Sequence, residues 1–141
     1  MSEAPAAGLL DTSTVILLPR LSGSAPVPTV ALISTVTLAE LSVGPLAATT
    51  EAERSRRQEQ LQQVEAQFDP LPFDAAAARA FGRVAASFRR AGRKASARAL
   101  DGLIAATAIA NGLPLYTVNP SDFAGIDDLE VVAVPHPDQT A

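Results

Sequence analysis

Short apolar runs alternate with helix-forming segments along most of the chain. Four runs have the length of buried strands and end in polar or turn-forming residues: 8–10, 30–33, 115–118 and 130–134. A fifth short strand is predicted near Leu71 to Phe73. Apolar strands that alternate with helices indicate a parallel sheet covered on both faces. The pattern predicts an α/β fold, a three-layer α/β/α sandwich with four or five parallel strands.

Helical spacing of apolar residues and helix-ending residues predict five helices. The first two cover 15–18 and 36–43, ending near Pro19 and at Gly44-Pro45 respectively, because proline and glycine interrupt helices. The remaining three are predicted over 51–67, from a cap at Asp74 to about Arg90, and over about 97–111.

Composition indicates one globular domain over residues 1–141, with flexible tails at 1–7 and 135–141. A chain of 141 residues that is 48% hydrophobic can bury a core without disulfides or a structural metal. Cysteine is absent, which excludes thiolate catalysis and cysteine-based metal sites. No secretory signal or membrane-spanning segment is evident, so we expect a soluble cytoplasmic protein.

The net charge of −4 conceals a strong asymmetry along the chain. Seven of the eleven basic residues lie between Arg79 and Arg98, where there is no acid, whereas residues 119–141 contain five acids and no base. One interpretation of the basic run is a solvated helix face, and the other is attraction of a phosphate backbone. Both interpretations remain open from the sequence.

Several carboxylates are predicted to meet at one edge of the sheet. Ligands of such sheets bind outside the carboxyl ends of the strands. Asp11 follows the first strand, Glu40 lies in the helix after the second, and Asn119 and Asp122 follow the third. Asp101 precedes a strand, so it reaches the same edge only if its helix returns antiparallel to the sheet.

The neighbours of two acids are unusual for solvated charges. At about 100° per residue, Asp101 shares a helix face with Ala97, Ile104, Ala105 and Ala108, and Glu40 shares one with Val36, Val43 and Gly44. A carboxylate on a packed face is unfavourable unless it is paired or bound to a metal. Converging carboxylates would repel one another, whereas a divalent cation would turn them into a binding site.

Each acid also has a simpler explanation. Asp11 can be a helix cap, Glu40 completes a capping box with Thr37, and Asn119-Pro120 is a common helix start to which Asp122 would belong. Asp101 lies inside its helix and has no capping role. For Asp101 the alternative is an ordinary exposed aspartate.

Four sequence blocks together resemble the PIN-domain family and, within it, the VapC toxins of bacterial type II toxin–antitoxin pairs. The blocks occur in family order and span most of the chain: Leu10–Ser13, Ile33–Leu41, Leu100–Ala108 and Tyr116–Phe123. Each block alone is weak evidence, and their order and spacing give the resemblance its strength.

The resemblance implies an endoribonuclease that requires Mg²⁺ or Mn²⁺, forms a homodimer and is inhibited by a cognate antitoxin. Its substrate would be a tRNA, an rRNA or an mRNA. Asp11, Glu40 and Asp101 match the three acidic positions of the family site. Asp122 is the better candidate for the fourth position, because Asn119 has no charge and could act only as a neutral ligand.

The residue types present in the chain favour catalysis by a metal-activated water over catalysis by an imidazole. The only histidine, His136, lies between two prolines near the C-terminus, so imidazole catalysis is poorly supported. Carboxylate ligands suit Mg²⁺ or Mn²⁺ better than zinc. Thr12 or Ser13 is expected to orient a bound water.

Two rival functions remain open. A phospho-acceptor receiver would need a lysine near its aspartate, and the only lysine is Lys94, within the basic run. A PIN-like domain that binds RNA or a protein without cleaving it would keep the same acidic set. Sequence alone does not separate this second rival from a nuclease.

Overall fold

A four-stranded parallel sheet forms the centre of the protein. The computed structural model describes residues 6–94, 96 and 98–139. The strand order is β2-β1-β3-β4, and every neighbouring pair is parallel. Leu9 pairs with both Leu32 and Leu115, which sets the register at the centre of the sheet. The strands are β1 (Ala7–Leu10), β2 (Val30–Leu32), β3 (Leu115–Thr117) and β4 (Val131–Ala133).

Five α-helices connect and cover the strands. Four of them begin at a polar residue whose side chain accepts a hydrogen bond from a backbone N–H in the first turn: Asp11, Ser34, Thr50 and Asp74. The helices are α1 (Thr12–Leu17), α2 (Thr35–Ala47), α3 (Glu51–Gln67), α4 (Ala75–Arg90) and α5 (Ala99–Ala110). Short 3-10 turns occupy Leu18–Arg20, Pro120–Phe123 and Pro137–Gln139.

Two hydrophobic cores lie on opposite faces of the sheet. Leu9 packs with Val84, Phe88 and Ile104 of α4 and α5, whereas Leu10 belongs to the core formed with α1, α2 and α3. Successive residues of a strand point to opposite faces, so these adjacent leucines serve different layers. The predicted three-layer sandwich is confirmed, with four strands in its sheet.

Helix α2 continues through Gly44-Pro45 to Ala47, so the predicted end at these residues was wrong. Two arginines of helix α3 stabilise this last turn of α2. Arg57 Nη1 donates to the carbonyl oxygen of Gly44 at 2.9 Å, and Arg54 Nε donates to that of Pro45 at 3.4 Å. The last carbonyls of a helix lack partners within it, and these arginines satisfy two of them.

The fifth predicted strand, near Leu71, is a single parallel bridge between Ser34 and Leu71. Leu71 N donates to Ile33 O at 2.9 Å, and Leu71 O accepts from Thr35 N at 2.9 Å. Pro70 and Pro72 flank Leu71 and have no N–H groups to extend the ladder. The apolar signal was correct, but the prolines limit the pairing to one residue.

The predicted tails include ordered residues. Ala7 is the first residue of β1, and the C-terminal 3-10 turn contains Asp138, which forms an ion pair with Arg20 at 2.6 Å. Residues 1–5, 140 and 141 of the predicted tails lie outside the described residues. No helix in the described part of the chain is long and apolar enough to cross a membrane.

Candidate active site

Asp11 lies at the carboxyl end of β1 and is the N-cap of α1. Only 4% of the residue is exposed, and both carboxylate oxygens accept hydrogen bonds. Oδ1 accepts from the backbone N–H of Thr14 at 3.2 Å and from the hydroxyl of Thr14, while Oδ2 accepts from the hydroxyl of Thr117 at 2.8 Å. The capping interpretation is therefore correct, and it coexists with a position at the sheet edge.

The two hydroxyls that hold Asp11 are themselves oriented by backbone groups. Thr14 Oγ1 accepts from Val118 N at 3.1 Å, and Thr117 Oγ1 accepts from Asn119 N at 2.9 Å. Both threonines are fully buried. Neither threonine was predicted as a site residue from the sequence. The available signal was Thr117, a polar residue on an otherwise apolar core strand, where a buried hydroxyl needs a partner.

Glu40 is half-buried on α2 and is hydrogen-bonded to Thr12, the residue that follows Asp11. Thr12 Oγ1 donates to Glu40 Oε1 at 2.6 Å and lies 3.0 Å from Thr37 Oγ1. The capping-box interpretation was wrong, because α2 starts at Thr35 with Ser34 as its cap. The helix face that Glu40 shares with Val43 is not packed as predicted, since Val43 is 58% exposed.

Asp101 lies in the first turn of α5, with Ile104, Ala105 and Ala108 fully buried around it. The predicted neighbour Ala97 lies outside the described residues. A short connection joins α5 to β3, so the helix runs back along the sheet and starts at the edge where the strands end. The expected antiparallel return is thus present, and the exposed-aspartate alternative is wrong.

Electrostatics link Asp101 to the other three acids. Burial and, after it, the negative charges of Asp122, Asp11 and Glu40 together raise the pKa of Asp101 from 3.8 to about 6, against the opposing effect of Arg98. Burial also raises the pKa of Asp11, while hydrogen bonds from Thr14 and Thr117 oppose the shift. Because repulsion between carboxylates weakens with distance, these effects show that Asp11, Glu40 and Asp122 lie near Asp101.

Asp122 is the fourth acid of this group. It follows β3 in the turn Pro120–Phe123 and accepts a hydrogen bond on Oδ1 from Arg98 Nη1 at 2.9 Å. The same Arg98 nitrogen lies 3.8 Å from Asp101 Oδ2. Arg93 donates to the carbonyl oxygens of Ser121 and Asp122 at 2.7 and 2.9 Å, which holds the turn in place.

Asn119 begins the same turn but does not cap it with its side chain. Asn119 borders a groove lined by Ser13, Ile16, Leu17, Val118, Asn119 and His136. The contact of Asp122 with Arg98 and its charge effect on Asp101 therefore favour Asp122 over Asn119 as the fourth site residue. Ser13 and His136 line this groove and do not line the cavity that Glu40 and Asp101 share.

The acidic group has the donor chemistry of a site for a hard cation. Glu40 and Asp101 line one open cavity together with Ser96, Arg98, Ala99 and Leu100. Oxygen donors of this kind suit Mg²⁺ or Mn²⁺. In the described part of the chain, however, no three Asp, Glu, His or Cys side chains are arranged as a ready-made metal site. Their oxygens are instead engaged by hydroxyl groups and by Arg98.

Much of the basic run is paired with the acidic C-terminal segment. Arg90 forms an ion pair with Asp127, and Arg83 lies 3.9 Å from Asp128. Together with Arg93 and Arg98, four of the seven basic residues contact residues 121–128. Among the described residues, no ion pair is formed by the other three: Arg79, Arg89 and Lys94.

Comparison with known proteins identifies relatives over nearly the whole chain. The model of the PIN domain family matches residues 9–129, a range that contains all four acids. Ribonuclease VapC5 of Mycobacterium tuberculosis is 40% identical over 136 residues, covering 95% of this chain and 98% of that protein. Ribonuclease VapC4 of the same organism is 34% identical over 102 residues, covering 72% of this chain and 75% of that protein.

The fold has a close counterpart among solved structures. The crystal structure of VapBC-5 from Mycobacterium tuberculosis, a member of the VapBC family of toxin-antitoxin systems, superimposes with a TM-score of 0.76 and 35% sequence identity. The match covers 92% of this chain and 100% of the other chain.

Proposed function

The chain belongs to the PIN domain family, and we propose that it is a VapC-type endoribonuclease toxin that hydrolyses RNA with Mg²⁺ or Mn²⁺. The observation that carries the proposal is the grouping of four acids, Asp11, Glu40, Asp101 and Asp122, at one edge of the sheet, where burial and mutual repulsion raise the pKa of Asp101. Four carboxylates gathered at a strand edge are unfavourable without a cation, and they are the donors that these two ions prefer. Family membership also removes the receiver alternative.

Each acid has a separate role in the proposal. Asp11 and Asp101 would hold the ion, while Glu40 and Asp122 would hold the ion or its waters. When bound, the ion would supply an activated water and offset charge on the phosphate. Thr12 donates to Glu40 and so would hold in place the carboxylate that would orient the attacking water. The water would attack phosphorus in line as the bond to the leaving oxygen of the RNA backbone breaks, and a proton from the water would pass to that oxygen.

The same proposal includes partners. Two curated relatives are named ribonucleases, and a solved relative belongs to a toxin-antitoxin system. We therefore propose a cognate antitoxin protein as the inhibitory partner, an RNA substrate, a homodimeric state and a cytoplasmic location.

Incubation of the purified protein with total RNA in Mg²⁺, in Mn²⁺ and in EDTA tests the proposal. We expect cleavage with either ion and none in EDTA. Attack by water should leave one phosphate end and one hydroxyl end, without a 2′,3′-cyclic phosphate. Cleavage that persists in EDTA would contradict the metal requirement. If RNA is bound but not cut under every condition, the protein is a non-catalytic binding module instead.

A further inference from the structure

Arg98 occupies a position that helix chemistry does not explain. It is the N-cap of α5, yet its side chain makes no capping hydrogen bond. A cation is disfavoured at the positive end of a helix, where residues such as Ser or Asp are preferred. The contacts of its guanidinium lie elsewhere, at 2.9 Å from Asp122 Oδ1 and 3.8 Å from Asp101 Oδ2.

These contacts place Arg98 between two of the four acids. The three side chains are 39%, 34% and 32% exposed for Arg98, Asp122 and Asp101, so the pair interactions are partly shielded from water. Arg93 is nearby, but it donates to the carbonyl oxygens of Ser121 and Asp122. In the described part of the chain, the ion pairs of this acidic group are made by Arg98 alone.

We propose that Arg98 is an internal counter-ion that neutralises Asp101 and Asp122 in the metal-free protein and competes with the divalent cation for these carboxylates. The inference rests on the proposed function, because it requires the acids to bind a divalent cation. It explains why oxygen donors gather at one edge without forming a ready-made metal site. The bound arginine keeps two of them engaged until an ion displaces it.

Calorimetric titration with Mn²⁺ tests the competition. Arg98→Gln should bind Mn²⁺ about three- to tenfold more tightly than the parent, because the ion no longer displaces a partly exposed ion pair. Arg56→Gln is the matched control. It removes the same charge from an exposed residue of α3 that forms no ion pair among the described residues, and its affinity should equal that of the parent.

Thermal unfolding provides a readout that does not depend on catalysis. In EDTA, Arg98→Gln should lower the Tm by about 2–4 °C, because Asp101 and Asp122 then repel each other without compensation. Saturating Mn²⁺ should remove most of that difference.

The outcomes separate this inference from the proposed function. A parent that binds Mn²⁺ while Arg98→Gln binds equally or more weakly overturns the competition and leaves the metal site intact. An Arg98→Gln variant with unchanged Mn²⁺ affinity but weaker RNA binding would make Arg98 a phosphate ligand instead. If neither the parent nor Arg98→Gln binds Mn²⁺, both the proposed function and the competition are overturned.

Discussion

Asp11 is the most constrained acid of the site, because hydroxyl groups hold both of its oxygens. Thr14 binds Oδ1 and Thr117 binds Oδ2, and each threonine also accepts a backbone N–H from the segment that follows β3. The orientation of Asp11 therefore depends on contacts between chain segments more than 100 residues apart. A carboxylate held this way loses little entropy when it binds a cation or a water.

Thr117→Val tests this arrangement with a side chain of similar shape. The variant loses the donor to Asp11 Oδ2 and the acceptor for Asn119 N, so the free energy of unfolding should fall by about 1–3 kcal/mol. RNA cleavage should slow about tenfold or more, as Asp11 becomes less well oriented. Urea unfolding and initial cleavage rates measure the two effects. Thr117→Ser retains the hydroxyl and serves as the control; equal cleavage by both variants would refute the positioning role.

The pKa of Asp101 predicts a pH-dependent stability in the absence of metal. Its folded-state value of about 6 lies above the ordinary value of 3.8, so the folded protein binds the proton more tightly than the unfolded chain does. The resulting stabilisation is complete below about pH 4 and is lost as the pH rises through 6. Allowing for the exposed third of the side chain, the loss is about 1–2 kcal/mol.

Asp101→Asn should remove that loss. In EDTA the variant should be more stable than the parent at pH 7.5 and should lose its advantage as the pH approaches 4. Urea unfolding across this range measures the difference. A constant difference between the two proteins at every pH would show that Asp101 does not titrate in this window.

The sequence predicted individual acids unevenly, for physical reasons. The packed helix face predicted for Asp101 is present in the structure, because Ile104, Ala105 and Ala108 are all fully buried. The same argument failed for Glu40, whose neighbour Val43 is exposed. Helical spacing shows which residues share a face, but it does not show what packs against that face. The contact of Glu40 with Thr12 depends on tertiary structure and has no local signal.

Helices α4 and α5 pack closely at Gly102, next to Asp101. A Cβ atom at Gly102 would lie 3.0 Å from a ring carbon of Phe81 and 3.3 Å from one of Phe88. Phe88 is fully buried, so it has little room to move. The missing side chain of Gly102 therefore sets the distance between the helices and, through it, the position of Asp101.

Gly102→Ala should destabilise the protein despite the higher helix propensity of alanine. Overpacking costs about 1–3 kcal/mol, which exceeds the propensity gain of about 1 kcal/mol. Gly82→Ala, within α4, is the matched comparison because no atom lies within 4 Å of its added Cβ. That variant should gain about 0.5–1 kcal/mol. Thermal unfolding of both decides the matter, and a stabilised Gly102→Ala protein would contradict this packing argument.

Element boundaries were predicted well where the deciding signal is local. Asp74 begins α4 as expected, and Asp11 caps α1, although α1 starts at Thr12, three residues before the predicted start at position 15. The predicted end of α2 was wrong because its carbonyls are satisfied by Arg54 and Arg57, which belong to a different helix. Such a stabilising contact cannot be deduced from the residues around Pro45.

At the scale of the whole molecule, the charge asymmetry has a structural explanation. Arg83, Arg90 and Arg93 bind the segment 121–128, which fastens the end of α4 to the turn that carries Asp122. The two alternatives for the basic run were a solvated face and a phosphate-binding surface. The arginines that bind segment 121–128 fit neither of these two alternatives fully. Within this run, Arg79, Arg89 and Lys94 form no ion pair in the described part and do not bind segment 121–128, so they are the remaining candidates for binding the backbone of the proposed RNA substrate.

The global architecture was predictable because parallel strands buried on both faces leave a strong apolar signature. From that pattern we could predict the edge of the sheet at which Asp11 and Asp122 lie. The antiparallel return of α5 then brings Asp101 to the same edge. The hydrophobic pattern did not predict that Arg98 compensates the negative charge of the acids, because Arg98 contacts Asp122 across 24 residues of sequence.

The central claim is that the four acids form one hydrolytic site, and the cleavage rate of Asp101→Asn in Mg²⁺ tests it most directly. Asp69→Asn is the control, since Asp69 is exposed and forms no ion pair among the described residues. We predict that Asp101→Asn cleaves RNA at least about 100-fold more slowly than the parent, while Asp69→Asn retains the parental rate. Equal rates for the two variants would contradict the assignment.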